Sequence, residues 1–199
     1  VSVSTFAYDA SYRGVFNQAQ PGLGGNIDQG DPYSHAPSVW DYVVHRFAVR
    51  SVLDVGCGEG HAAAYFHRVH GCAVTAFDGL RDNLERAVYP IVVHDLRLQP
   101  FITRVDLVYC VETVEHIEPD YMEYLLMTLA CGRVILMTHA LPGQGGHHHV
   151  NCQSQDYWVE VLSGYGYLLS SIDTAHVRKL AVRDDAQHFA TGLVFTKTP

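Results

Sequence analysis

Three groups of residues in this 199-residue chain have the types and spacing to do chemistry. The first is the loop Leu53-Asp54-Val55-Gly56-Cys57-Gly58-Glu59-Gly60-His61. Its glycines allow a sharp turn and let a ligand approach bare backbone. The spacing is G-x-G-x-G, because the third glycine of the dinucleotide pattern G-x-G-x-x-G would fall on His61. The second group is a pair of aspartates, Asp78, 18 residues beyond Gly60, and Asp95. The third is Glu112-Thr113-Val114-Glu115-His116, with Gly145-Gly146-His147-His148-His149 downstream. If a helical turn begins at Glu112, positions i, i+3 and i+4 share a face and bring two carboxylates and an imidazole together. Such groups suit proton transfer, with His116, His139 or His148 as the base.

The elements that must hold these residues alternate. Short apolar runs read as strands at Ser51–Val55, Cys72–Phe77, Ile91–His94, Asp106–Cys110 and Arg133–Thr138. Helical spacing falls between them, over His61–His70, Leu80–Ala87 and Tyr121–Ala130, and again over Gln155–Ser163. Two late strands follow, near Tyr165–Ser171 and Gly192–Thr196. The alternation predicts an α/β fold with right-handed crossovers and a mostly parallel sheet covered on both faces. Ligands of such sheets bind at the carboxyl ends of the strands, where the glycine loop lies. Asp78, closing the second strand, can accept from both ribose hydroxyls, and Asp95, closing the third, from an adenine amino group.

Residues 1–36 are rich in Gly, Ser, Asn and Gln, with strong turn chemistry at Gln20-Pro21-Gly22. They read as an arm or lid carrying Tyr8, Tyr12, Phe16, Tyr33 and His35, and residues 37–199 as one domain. Val39, Trp40, Val43, Val44 and Phe47 open that domain with a helix. The chain starts at Val1, as would a processed chain or a domain of a larger protein. With 48% apolar residues it can build a core, and no run approaches the roughly 18 apolar residues of a membrane span. The five cysteines include no C-x-x-C pair and the N-terminus lacks a signal-peptide pattern, so the expected setting is cytoplasmic, with reduced thiols. The net charge is −8 and the only lysines are Lys179 and Lys197, against 13 histidines. That balance argues against nucleic acid as a partner, since phosphate-backbone binding needs a basic face.

In the Asp54-to-Gly60 loop, Asp78, His94-Asp95-Leu96 and Asp106-to-Cys110, the sequence resembles the class I S-adenosylmethionine-dependent methyltransferases. The resemblance covers about Val52 to Thr196. It implies a Rossmann-like sheet of seven strands with the last antiparallel. It also implies a cofactor site of Asp54, Gly56, Gly58, Gly60, Asp78, Leu80, Asp95, Leu96 and the backbone near Cys110. A nicotinamide dehydrogenase is the rival on this fold class, and the glycine spacing and the lack of a Tyr-x-x-x-Lys hydride site speak against it.

The E-x-x-E-H run with a later histidine resembles a motif of two methyltransferase groups. One comprises the ubiquinone-pathway O-methyltransferases and the other the small-RNA 3′-terminal 2′-O-methyltransferases. Carried over, it implies a divalent cation on Glu112, Glu115, His116 and His148, with His149 nearly as well spaced from Tyr157. Two imidazoles and two carboxylates favour Mn, Fe, Co or Zn over Mg. The expected activity is metal-assisted O-methylation of a small-molecule or glycan acceptor bearing vicinal hydroxyls. The alternatives are a ribose 2′-O-methyltransferase of RNA ends and a non-catalytic cofactor-binding or interaction module.

Overall fold

The computed structural model describes residues 16–17 and 22–198. Tyr8 and Tyr12 of the expected lid lie outside the described residues. The main sheet has seven strands: β1 (Ser51–Val55), β2 (Ala73–Asp78), β3 (Val92–Val93), β4 (Val105–Cys110), β5 (Gly132–Met137), β6 (Tyr167–Leu169) and β7 (Leu193–Lys197). They lie in the order β3-β2-β1-β4-β5-β7-β6. β7 runs antiparallel to both its neighbours, and every other pairing is parallel. The order reverses beside β1, which pairs with β2 on one side and β4 on the other. A crevice opens at such a switch point, beyond the strand ends.

Helices cover both faces. On one lie α1 (Pro37–Phe47), α2 (His61–His70) and α6 (Ser171–Arg183), packed around Trp40, Phe66, Val177 and Phe189. On the other lie α4 (Met122–Leu129) and α5 (Gln155–Ser163), around Leu125, Leu129, Trp158 and Leu162. Local signals set their bounds. Pro37 opens α1, and Ala48 closes it in the left-handed conformation at φ 49°. The Ser154 and Ser170 side chains cap α5 and α6. Among the described residues no helix is long and apolar enough to cross a membrane.

Two elements differ from the sequence expectation. The helix read over Leu80–Ala87 is a single turn, α3 (Asn83–Arg86), which ends where Ala87 turns extended at φ −60° and ψ 126°. The 13-residue α6 gave no apolar period, because its buried face, Asp173, Thr174, Val177 and Ala181, is half polar. Ser170, assigned to the strand end, is that helix's cap.

Candidate cofactor and acceptor site

The glycine loop is stitched to the neighbouring strand by its carboxylate. Asp78 accepts the Gly58 N–H at 2.8 Å and the Leu80 N–H at 2.7 Å. The Cys57 N–H bonds to the Phe77 carbonyl at 3.0 Å. Gly56 sits at φ +66°, and a Cβ there would collide with the Thr113 side chain. The loop therefore needs glycine for backbone shape and for close approach. Asp54 is buried, and one of its carboxylate oxygens has no hydrogen-bond partner. Burial raises its pKa to about 7, and burial raises that of Asp78 to about 6.

Two cavities adjoin this loop. The larger, about 270 Å³, is lined by Asp54, Gly56, Gly58 and Asp78, by Trp40, Tyr109 and Val111, and by Asp31, His35, Glu112, His116, His147, His149 and His188. The smaller, about 80 Å³, lies against Gly79, Leu80, Asp95 and Leu96. Asp95 is forked by Arg97, whose Nη2 lies 2.7 Å from Oδ2. The orphaned Asp54 oxygen suits an ammonium, and the apolar walls at Leu80 and Leu96 suit a flat ring. The residues thus fit a cationic nucleoside such as S-adenosylmethionine.

The histidine–glutamate cluster forms just beyond β4. Glu112 takes the left-handed conformation at φ 51°, and its N–H donates to the Thr138 hydroxyl at 2.8 Å. Val114–His116 is a 3-10 turn. The three acidic and basic groups therefore meet through a kink at Glu112 rather than along an α-helical face. Glu115 is fully buried, and neither carboxylate oxygen has a partner. Its pKa is pushed well up, first by burial and then by the Glu112 charge. One ligand atom from each of Glu115, His116 and His149 lies within 4.8 Å of the others.

The two histidines share one tautomer. His116 Nδ1 lies 3.2 Å from the His148 carbonyl, and His149 Nδ1 lies 3.3 Å from the Gln144 carbonyl. A carbonyl only accepts, so in each ring Nδ1 carries the proton and Nε2 keeps its lone pair. Burial, and then the neighbouring histidines, holds the His116 pKa down to about 4 despite that bond.

A strap formed by residues 22–31 lies over both cavities. Arg97 Nη1 donates to the Gly22 carbonyl at 3.0 Å. The Leu23 side chain rests on Gly79, and Gly24 abuts His116 so closely that a Cβ would stand 2.7 Å from its ring. The Gln29 N–H donates to Glu59 at 3.0 Å, and Arg86 pairs with Asp28 at 2.9 Å.

The structure brings Asp54, Gly56, Gly58, Asp78, Leu80, Asp95 and Leu96 to the cavities. Gly60 caps α2 at φ +82° and faces Tyr89 and Ile91 rather than a cavity. Cys110 is wholly buried in the core, and its carbonyl accepts the Thr138 N–H. Val111 and Glu112 line the larger cavity in its place. His148 does not join the cluster: its φ of +50° turns it toward Glu118, with Nε2 3.1 Å from Oε1, and His149 takes the place beside Glu115 and His116. His139 is buried against Trp158, with Nδ1 on the Gln153 carbonyl, and lines neither cavity. Sequence reasoning missed Asp31 and His188, which carry no motif. It counted His35 only as part of the arm.

A twisted parallel sheet with this strand order, a glycine loop at its switch point and acids closing β1 and β2 define a nucleoside-binding α/β enzyme. The chain belongs to the methyltransferase domain family, whose model matches residues 34–167, and its class is the S-adenosylmethionine-dependent class I enzymes. Among curated proteins it is 37% identical over 76 residues to the ubiquinone biosynthesis O-methyltransferase of Rickettsia typhi. That match covers 34% of this chain and 30% of the relative. Among solved structures, the methyltransferase domain of bacterial CtHen1-C aligns at TM-score 0.55 and 18% identity, over 82% of this chain and 98% of that one. The O-methyltransferase of a trans-AT PKS multienzyme of Brevibacillus brevis, in complex with S-adenosyl-L-homocysteine, aligns at TM-score 0.59 and 14% identity, over 82% and 72%. The plantazolicin methyltransferase BpumL aligns at TM-score 0.59 and 12% identity, over 84% and 85%. At these identities the structural likeness is one of fold.

Proposed function

We propose that this protein is an O-methyltransferase that uses a divalent cation to hold the hydroxyl of a sugar, glycan or other polyhydroxylated acceptor. The observation that carries the reading is Glu115, a carboxylate with no exposure and no partner for either oxygen. Burial favours its protonated form, and a cation beside His116, His149 and Glu112 would displace that proton and take the carboxylate as a ligand. Those four residues are the proposed ligands. When bound, the cation would lower the pKa of a hydroxyl. Mn, Fe, Co or Zn fits two imidazoles and two carboxylates better than Mg.

The chain's other residues have separate tasks in this reading. Asp54 meets the cofactor's ammonium, Gly56 and Gly58 bring backbone against its aminoacyl end, and Asp78 accepts its ribose hydroxyls. Leu80 and Leu96 enclose its adenine, with Asp95 beside the ring's amino group. The strap keeps water from the reacting centre. O-transfer is supported by the likeness to the Rickettsia O-methyltransferase.

The acceptor class rests on the larger cavity's lining, which among the described residues holds histidines, Ser34, Trp40, Tyr109 and the carboxylates Asp31, Asp54, Glu59, Asp78 and Glu112 but no Lys or Arg, so it repels phosphate and offers acceptors to hydroxyls. A neutral polyol fits such walls. An RNA end would call for cationic groups against phosphate, and Arg86 and Arg97 are committed to Glu59 and Asp95. The deciding experiment is an acceptor screen over glycosides, catechols and short RNAs, with EDTA and with Mn(II) restored. Turnover of a glycoside or catechol that EDTA abolishes and Mn(II) restores is expected. Undiminished turnover in EDTA would overturn the cation, and turnover of RNA alone would overturn the acceptor class.

A further inference from the structure

His188 lies in the 3-10 turn Gln187–Thr191, just before β7, and lines the larger cavity. Its ring spans two carboxylates. Nδ1 is 3.2 Å from Glu112 Oε2, and Nε2 is 2.8 Å from Asp31 Oδ2. Asp31 closes the strap and caps the following turn, accepting the Tyr33 N–H at 2.9 Å and the Ser34 hydroxyl at 3.1 Å. The Tyr33 ring stands edge-on to His188, with centroids 5.8 Å apart. Glu112 is held from the other side by the Thr138 hydroxyl, 2.8 Å from Oε1. Both Glu112 oxygens are thus anchored, and each retains a further lone pair. Among the described residues, the strap's ties from Arg97 to Gly22, Arg86 to Asp28 and Gln29 to Glu59 touch none of the four proposed cation ligands. The His188 bridge does.

We propose that His188 is a positioning residue: it sets the Glu112 carboxylate for the cation and, through Asp31, ties the strap closed over the acceptor cavity. This rests on the reading that Glu112, Glu115, His116 and His149 hold a cation. Partners that orient a ligating carboxylate commonly govern metal affinity. Coupling of this kind is reciprocal, so a bound cation stabilises the closed strap by the factor with which the closed strap favours the cation.

The test is calorimetric titration of Mn(II) into the wild type, His188→Gln and Asp31→Asn, with hydrogen exchange over residues 22–31 measured with and without Mn(II). His188→Gln is expected to weaken Mn(II) about tenfold or more. Asp31→Asn keeps the fold of the turn but loses the charge, and should weaken Mn(II) about threefold, the size of a modest coupling. Mn(II) should slow strap exchange in the wild type and in neither variant. Wild-type Mn(II) affinity in His188→Gln, or a strap in Asp31→Asn that responds to Mn(II) as the wild type does, would overturn the proposal alone. A wild type that binds no Mn(II) would overturn the cation reading as well. Should His188→Gln fail to fold, shown by lost S-adenosylhomocysteine binding, the Asp31→Asn pair of measurements decides.

Discussion

Asp78 and Glu115 are both buried carboxylates beyond the ends of central strands, yet they are held in opposite ways. Asp78 accepts two backbone N–H groups, from Gly58 and Leu80. One donor belongs to the glycine loop and the other to the turn after β2, so the acid ties the two together into one cradle. Glu115 has only its own backbone and the adjoining Glu112 carboxyl beside it, and Glu112 is held by side chains from distant segments, Thr138 and His188. A carboxylate satisfied by backbone is stable without its ligand. One left bare in the interior keeps its proton, because burial pushes its pKa well up, and on the proposed reading exchanges it for a cation. On the proposed reading, the cofactor half of the site is thus preformed and the acceptor half is completed by what it binds.

The sharpest way to break this comparison is to remove one acid from each half. Glu115→Ala is expected to abolish Mn(II) binding and turnover while S-adenosylhomocysteine affinity stays within about twofold, as for sites that share no partner. Asp78→Ala should do the reverse. Losing a carboxylate's two charge-assisted bonds and its hold on the ligand should weaken S-adenosylhomocysteine about a hundredfold, with Mn(II) affinity unchanged. Calorimetry of both ligands against both variants reads the result. If either substitution weakens both ligands equally, the two halves are one cooperative site.

The next effect separates adjacent histidines. His149→Ala should lower Mn(II) affinity by at least about tenfold, since it removes a proposed ligand. His148→Ala removes only a contact to Glu118 and should change it by less than about twofold. Titration followed by Co(II) absorption would check the pair, and a larger loss from His148→Ala would reverse the assignment.

The same contrast decides what the sequence could reveal. The glycine loop, Asp78 and the strand alternation were legible because each depends on neighbours in the chain: a turn, a strand end, a run of apolar residues. The acceptor half was legible only in part. E-x-x-E-H marked Glu112, Glu115 and His116, but the choice between His148 and His149 turns on the φ of +50° at His148, which composition does not encode. His188 and Asp31 meet Glu112 only after the tail and the arm fold across the sheet, and nothing within either segment signals that. The helix α6 escaped for a related reason. Its buried face includes Asp173, which Tyr42 and Arg46 satisfy from α1, at 2.6 and 2.9 Å.

The smallest expected effect is a pH dependence confined to the cofactor half. Asp54 has a folded-state pKa of about 7, above the ordinary carboxylate value, because burial disfavours its charge. Two opposite consequences follow. For stability, a raised folded pKa means the ionised form is penalised in the folded state, so its contribution improves as pH falls from about 7 toward 4. For binding, the proposed contact with the cofactor's ammonium needs the ionised form, so affinity should weaken as pH falls through 7, where binding would release a proton. Between pH 7.5 and 6.5 the ionised fraction changes about threefold, and S-adenosylhomocysteine affinity should follow it. Asp54→Asn removes the titrating group and should flatten that profile while raising the melting temperature of the free protein more at pH 8 than at pH 5.5. The Mn(II) affinity of Asp54→Asn should match the wild type at each pH. An Asp54→Asn profile as steep as the wild type would place the titration elsewhere, with Asp78 and its pKa of about 6 the next group to substitute.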